Sequence, residues 1–140
     1  MPGAARARIA ALRGEFAIAE AFQSESDKVL NALCEMVACL AKNSDEFRAE
    51  MGKQDVIKDI IDLVKNEDPA YHGAALRALW ALCLNNEIHQ VITRASGMIE
   101  FLLGRLAAHD TTIQQKPPLL KALSSICSGH CKSLFPWPSL

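Results

Sequence analysis

The sequence predicts an all-α protein built from helical repeats, on three observations. Apolar residues recur at the spacing i, i+3, i+4, i+7, which places them on one stripe of a helix. This stripe occurs three times, about 43 residues apart. No β-branched alternation or Asn-Gly turn indicates a strand or a hairpin. The stripes are Leu33, Met36, Val37 and Leu40; Leu76, Leu79, Trp80 and Cys83; and Leu119, Ala122, Leu123 and Ile126.

A repeat of this length favours a solenoid, because one unit cannot bury its own apolar faces and neighbouring units must share a core. The composition agrees. Half of the 140 residues are apolar, 22% are charged, and the formal net charge is −1. These values are typical of one globular domain. The chain lacks the excess of charge that directs a protein to nucleic acid or to an anionic membrane. No apolar run approaches the roughly 18 to 20 residues that span a bilayer.

The first helices are predicted from apolar spacing and from the residues that interrupt it. Ser24 or Ser26 can cap the second helix, and Asn43 to Asp45 end it. Pro69 ends the fourth helix, because proline disfavours the helical conformation of the residue before it. The expected helices are 4–22, 27–42, 45–52 and 56–64.

The same order then recurs. A helix over 69–84 is followed by a short helix with Ile88, Val91 and Ile92, a turn at Gly97 and a medium helix over 98–106. A last helix follows Pro117 and Pro118 and ends near residue 128. The apolar face of the medium helix is matched at an offset of 42: Ile57, Ile60, Ile61 and Val64 correspond to Ile99, Leu102, Leu103 and Leu106.

We therefore expect one repeat domain over 1–132, followed by a short tail. Only about two full repeats fit, so the last helix has no following unit to cover it, and self-association through this end is one expected consequence. The expected divisions are an N-terminal capping helix 1–24, repeats 25–66 and 67–108, a partial repeat 109–132, and a Pro- and aromatic-containing tail 133–140.

Cysteine usage predicts a reducing compartment. The chain has five cysteines, an odd number, and most lie on apolar helical faces, so buried thiols are expected rather than disulfides. We expect an intracellular, cytoplasmic protein. The segment before Glu15 carries Arg6, Arg8 and Arg13 and no acid, which also resembles an organelle transit peptide. The preferred interpretation is the solvated face of the first helix.

The order of one long, one short and one medium helix resembles the armadillo repeat family. The segments 43–64 and 85–106 are similar to its junction, in which an Asn-bearing turn leads into a short helix, a Gly-containing turn and an Ile-rich helix. The segment 73–83, GAALRALWALC, is similar to its third helix. The resemblance covers about residues 28–128 and implies a right-handed α-solenoid, with about two full three-helix repeats plus flanking helices.

The resemblance implies that the third helices line a concave groove that binds a partner. In the subgroup that binds nuclear-import peptides, a third-helix Trp is followed four residues later by Asn. Here Trp80 is followed by Leu84, and Asn85 comes one residue late, about 100° away around the helix. This argues against the import groove, and Trp80, Leu33, Leu76 and Leu123 are expected in the core.

The candidate partner-binding residues are those of the third helices that lie off the apolar stripe, together with two aromatic residues of the tail. The tail aromatics alternate with prolines, which favour an extended segment that either anchors a neighbour or folds back over the last helix. The candidates are Asn31, Glu35, Ala38, Arg77, Ala81, Lys121, Ser124, Phe135 and Trp137.

No catalytic, metal-binding or cofactor motif is present in the sequence. Cys127, His130 and Cys131 supply three thiol or imidazole groups, but a structural zinc site takes four ligands in two separated pairs. There is no phosphate-binding glycine loop and no paired-carboxylate motif. We expect no enzyme activity, no metal and no cofactor, the alternative being an enzyme with a thiol nucleophile such as Cys127.

The expected function is protein–protein interaction, as an adaptor or a structural subunit of a larger assembly. The expected partner is another protein or a peptide, and not nucleic acid. Two alternatives stay open within this class: a regulator that binds a small GTPase or another folded partner, and an adaptor for nuclear-import peptides.

Overall fold

The computed structural model describes residues 14–24, 26–53, 55–66 and 72–128, and these form eight α-helices and no strand. The prediction of an all-α protein is confirmed. None of these helices is both long enough and apolar enough to cross a membrane. The helices are α1 Gly14–Ala21, α2 Asp27–Lys42, α3 Asp45–Lys53, α4 Val56–Lys65, α5 His72–Cys83, α6 Glu87–Ala95, α7 Met98–Ala107 and α8 Lys116–Cys127.

Helices α2, α3 and α4 have counterparts in α5, α6 and α7. The short helices α3 and α6 begin and end 42 residues apart, and so do the medium helices α4 and α7. The turns between them are built alike. Ser44 and Asn86 each cap a short helix through a side-chain oxygen that accepts a backbone N–H, at 3.1 and 2.9 Å. Asp55 and Gly97 each precede a medium helix in the left-handed conformation, with φ of 58° and 80°.

The backbone carbonyls at the ends of the long helices are also satisfied alike. Arg48 of α3 donates from Nη1 to the carbonyl of Ala41. Gln90 of α6, 42 residues later, donates from Nε2 to the carbonyl of Cys83 at 2.8 Å. Both side chains are buried, and each donates to a helix-end carbonyl that also accepts a backbone N–H from the following turn, that of Ser44 or Asn86, at 3.4 Å in both cases. This polar contact fixes the angle at which the short helix leaves the long one.

The core corrects the predicted repeat register of α2. Its buried residues are Leu30, Cys34, Val37 and Ala41, whereas Met36 is 37% exposed and Leu33 and Leu40 are only partly buried. The predicted offset of 43 between α2 and α5 is therefore wrong for the core, and 42 is the offset that aligns buried residues. Equivalent buried triplets are Cys34, Val37 and Ala41; Leu76, Leu79 and Cys83; and Leu119, Ala122 and Ile126.

Helix α5 forms the centre of this core. It packs against α2, α4 and α8, and eight of its twelve residues are buried. Four of the eight are alanines, which allow neighbouring helices to approach closely. The buried residues are Ala74, Ala75, Leu76, Ala78, Leu79, Ala81, Leu82 and Cys83.

The medium helices differ in how far they are covered. The four predicted apolar residues of α4 are all buried, including Ile61, which is 5% exposed, and so is Val56. In α7 only Met98 and Leu102 are buried, and Leu103, the counterpart of Ile61, is 52% exposed. Helix α4 is followed by the complete triplet α5 to α7, whereas in the described residues α7 is followed by α8 alone. The predicted apolar face of α7 is therefore only partly buried.

Side chains also connect α8 to the preceding helices. Ser125 Oγ donates to the carbonyl of Trp80 at 2.8 Å, and Arg94 Nη1 donates to the carbonyl of Ile126 at 3.0 Å. The second contact places a cation at the C-terminal end of α8, where the helix dipole favours positive charge. These bonds hold α8 in the position that it needs to form one wall of the surface described below.

A buried histidine occupies the interface between the two triplets. His89 of α6 is 0% exposed, and its Nδ1 donates to the carbonyl of Leu82 at 2.7 Å. Its Nε2 has no hydrogen-bond partner among the described residues. A Cβ atom on Gly52 of α3 would lie 3.0 Å from this nitrogen, so glycine is needed there for the close approach of α3 to α6. Desolvation lowers the pKa of His89 below its usual value of 6.5; the hydrogen bond to the Leu82 carbonyl opposes this in part, and the charge of Arg48 adds a smaller lowering.

We predict that the free energy of unfolding decreases as the pH falls below about 6.5. His89 is buried neutral, so the unfolded chain takes up this proton at a higher pH than the folded chain does. The stabilising contribution is complete above pH 6.5 and is lost as the pH falls toward the lowered pKa. Urea unfolding at several pH values between about 7.5 and 5.5 measures this change.

The variant His89→Asn is the control, because its side-chain amide keeps a donor for the Leu82 carbonyl but has no proton to gain in this range. Its free energy of unfolding is expected to be lower at pH 7.5 and to change less with pH. An equal pH dependence in both proteins would contradict the assignment to His89.

Candidate functional site

The long helices α2, α5 and α8 together form a surface groove with a volume of about 410 Å³. Most of its lining residues lie on the exposed sides of these helices, whereas Leu76 and Trp80 also belong to the core or pack against it. We call this surface the long-helix groove. Its described lining residues are Glu35, Ala38, Cys39, Lys42, Asn43, Leu76, Arg77, Trp80, Pro118 and Lys121.

An ion pair connects the first two helices of the groove. Arg77 Nη2 of α5 donates to Glu35 Oε1 of α2, and the two residues are 42 positions apart, at equivalent places in the two triplets. Both side chains are about half exposed, at 50% and 53%. Solvent screening limits such a pair to about 0–1 kcal/mol of stability. The pair therefore contributes little to stability. Its two charged groups can instead exchange each other for the charged groups of a partner in the groove.

An aromatic residue and a cation connect the other two helices. The Nζ atom of Lys121 in α8 lies 5.2 Å from the centroid of the Trp80 ring in α5, within the range of a cation–π interaction. Trp80 packs against the core and lines the groove at the same time. Trp80 therefore has two roles: it packs with the core, as predicted, and part of its ring also faces the groove.

Positive charge prevails along the described groove lining. It contains three cations, Lys42, Arg77 and Lys121, and one carboxylate, Glu35. After Arg77 has paired with Glu35, the charges of Lys42 and Lys121 are left over. Three helices line the groove, and the low dielectric constant of the surrounding protein raises the electrostatic potential of these charges above its value on an open surface. An occupant with negative charge is favoured.

The structure places four of the nine predicted partner-binding residues in this groove: Glu35, Ala38, Arg77 and Lys121. Ser124 is exposed and Asn31 is partly buried, but neither lines the groove. Ala81 is 0% exposed, so its prediction as a surface residue is wrong. The reason is that α5 is buried around most of its circumference. Phe135 and Trp137 lie outside the described residues.

Six groove residues were not predicted as such: Leu76 and Trp80, which were expected in the core, and Cys39, Lys42, Asn43 and Pro118. Cys39 lies on an apolar helix and has the size of a core residue, yet it is exposed. Lys42 and Asn43 lie at the end of α2, where their contacts depend on how the next triplet packs. The corrected register was the missing signal, because an offset of 42 places Ala38 and Trp80 at equivalent positions on the groove side.

The thiols fall into two groups. Burial is the main cause that raises the pKa of Cys34 and of Cys83 to about 12. Both stay protonated at neutral pH, which disfavours them as nucleophiles. Cys39 is exposed in the groove and Cys127 is partly buried. The expected burial is therefore found for Cys34 and Cys83 but not for Cys39, and all three are free thiols.

The described residues offer no metal site. Within the described ranges no group of three or more His, Cys, Asp or Glu side chains is arranged to hold a metal ion. His130 and Cys131, which the sequence brings near Cys127, lie outside those ranges.

No protein-family model and no curated protein matches the chain. Two similar solved structures are crystal structures of engineered proteins from the Northeast Structural Genomics Consortium, targets OR329 and OR366. They superpose with TM-scores of 0.74 and 0.70, at 20% and 21% sequence identity, over 86% and 82% of this chain. The chain spans about half of each engineered protein, 48% and 47%. At these identities the likeness concerns the fold alone.

We predict that Cys39 is the fastest of the described thiols to react with Ellman's reagent in the native protein. Cys34 and Cys83 are buried, and their raised pKa leaves almost no thiolate, so they should react only when the chain unfolds. Stopped-flow absorbance with and without about 6 M guanidinium measures both phases.

The variant Cys39→Ser is the control and should lose the fast phase of that residue alone. A native-state rate for Cys34 or Cys83 equal to that of Cys39, identified by mass spectrometry of the labelled peptides, would contradict the described burial.

Proposed function

We propose that this chain is a protein-interaction module, an armadillo-type right-handed solenoid that binds an extended, acidic segment of a partner protein in the long-helix groove. The observation that carries the proposal is the groove itself, built from equivalent faces of three successive long helices. The role is that of an adaptor or a structural subunit. We propose no enzyme activity and no cofactor.

The solenoid part of the proposal is supported by the repetition of helices and turns. The triplets α2 to α4 and α5 to α7 share the lengths of their short and medium helices, the caps of the short helices and the left-handed turn residues, at an offset of 42. Helix α8 occupies the place of the next long helix. Such stacking leaves one face of each long helix free, which is how repeat proteins obtain extended binding surfaces.

The preference for an acidic segment is supported by the charges and by the shape of the groove. Lys42 and Lys121 lie at opposite walls and can each pair with a carboxylate of the partner. The exposed part of Trp80 offers an apolar contact between them. The groove walls are helices held by a packed core, so little conformational entropy is lost when a partner binds.

The nuclear-import alternative is less compatible with this surface. Its peptides are rich in Lys, and they would meet three cations and only one carboxylate in the described lining. The expected Asn is also displaced, because Asn85 lies in the turn after α5 with φ of 48°. A basic peptide is therefore the natural comparison in the binding test.

We predict that a fluorescein-labelled peptide of about ten residues, alternating Glu and Ala around one central Leu, binds more tightly than the same peptide with Lys in place of Glu. Fluorescence anisotropy measures both affinities. Binding should weaken when the salt concentration is raised from about 50 to 200 mM, because screening reduces the attraction between exposed charges. The double variant Lys42→Glu, Lys121→Glu should weaken binding of the acidic peptide by at least about 10-fold, equivalent to about 1.4 kcal/mol.

The matched control is the double variant Lys28→Glu, Lys58→Glu, which has the same net charge but changes exposed residues outside the groove. It should retain most of the affinity. If both variants weaken binding equally, the effect depends only on net charge, which would contradict a groove site. Tighter binding of the Lys-rich peptide would favour the import alternative.

A further inference from the structure

A second cavity, of about 300 Å³, adjoins the long-helix groove and shares Leu76, Arg77 and Pro118 with it. It is formed by the ends of α4, α5 and α7, the segment 108–115 and the start of α8. We call it the end pocket. Its described lining residues are Val64, His72, Gly73, Leu76, Arg77, Phe101, Leu102, Arg105, Thr111, Gln114, Gln115, Pro118 and Leu119.

The floor of the end pocket is apolar and comes from both triplets. Val64, Leu76, Leu102 and Leu119 are buried core residues, one from each of the four helices that meet here. Phe101 is partly buried and packs against the same core. Because the surrounding core holds these side chains in place, the floor is preformed. Its size is at the lower end of the range for small-molecule sites, about 300–1,000 Å³.

The rim of the end pocket is polar and carries positive charge. Arg105 of α7 is partly buried, and its guanidinium makes no hydrogen bond or ion pair with the part of the chain that the structure describes, whereas Arg77 is already paired with Glu35. Gln115 accepts a hydrogen bond from the backbone of Thr112 through Oε1, which leaves its amide N–H groups available. No carboxylate occurs among the described lining residues.

The backbone beneath Arg105 is fixed. The Thr111 Oγ1 atom donates to the Arg105 carbonyl at 2.6 Å, and the Ala108 N–H donates to the same carbonyl at 3.3 Å. This holds the end of α7 against the segment that closes the pocket. The Arg105 side chain therefore extends from a defined backbone position next to the apolar floor. Phe101 lies one helical turn before it.

We propose that the end pocket binds a hydrophobic group that ends in a carboxylate. The apolar part lies on the floor of Val64, Leu76, Leu102 and Leu119, and Arg105 binds the carboxylate with bidentate geometry, assisted by the Gln115 amide. The end pocket adjoins the long-helix groove and shares Leu76, Arg77 and Pro118 with it, but Arg105 and Gln115 line only the end pocket. The proposal does not require that a protein partner bind in the groove. A free aliphatic acid and the C-terminal carboxylate of a peptide share this chemistry.

The test measures the binding of octanoate to the whole chain by isothermal titration calorimetry, alongside a tripeptide that ends in Leu, with a free or an amidated C-terminus. We expect saturable binding of octanoate or of the free-acid tripeptide, and at least about 10-fold weaker binding of 1-octanol and of the amidated tripeptide. Octanoate alone would identify a free acid as the ligand, and the free-acid tripeptide alone would identify a chain terminus.

Two variants locate the site. Arg105→Gln should weaken binding by about 10-fold or more, because a charge-assisted contact is replaced by a neutral one. Gly73→Leu should abolish it by filling the mouth of the pocket; a Cβ there meets Arg77 Nη1 at 3.7 Å, an ordinary contact, so the helix accepts a side chain. The control Lys58→Gln removes a cation outside the pocket and should leave the affinity unchanged.

Circular dichroism confirms that each variant is folded before titration. The proposal is overturned if neither octanoate nor the free-acid tripeptide binds, if 1-octanol binds as tightly as octanoate, or if Arg105→Gln and Lys58→Gln weaken binding equally. None of these results bears on the long-helix groove, whose test uses other residues and another ligand.

Discussion

The structure depends on the burial of one helix, α5, by helices that precede and follow it. Eight of its twelve residues are buried, and they form a single core with α2, α4 and α8. Alanine at half of these positions allows the backbones to approach closely, and burial of apolar area is the dominant favourable term in folding. Neither triplet has enough covering surface alone. The first triplet covers one part of α5 and α8 covers another, so the two units are stabilised together.

The same constraint determines where ligands can bind. The inward faces of the long helices are buried in the core. The charged residues Glu35, Arg77 and Lys121 therefore lie on the outward faces. The ends of the helices leave a second opening around Arg105. Both surfaces have an apolar floor that belongs to the core and a rim of cations, and Arg77 lines both. The proposed ligands are consequently negative in both cases, one an extended chain and the other a compact group.

Helix positions could be predicted from the sequence, but side-chain environments could be predicted only in part. Periodic apolar residues and Ser, Asn, Gly and Pro at the ends marked helices α2 to α8 within a few residues, because local propensity and capping act over one or two turns; the predicted start of the first helix at residue 4 lies outside the described residues. The register of α2 could not be predicted, since its core uses the small residues Cys34 and Ala41 while the larger Met36 is exposed. The groove depends on that register, and hence Trp80 was expected in the core alone and Cys39 was not identified as a groove residue. The end pocket joins four helices that are distant in the sequence, and no local pattern signals it.

Residue-level native-state hydrogen exchange tests the shared core most directly, by comparing the wild type with Leu79→Ala. Leu79 is fully buried in α5, and its truncation should cost about 2–5 kcal/mol. If the triplets share one core, the opening free energies of the slowest amides in α4 and in α7 should decrease by the same amount. A decrease confined to one of these two helices would contradict the account, because the triplets would then unfold independently.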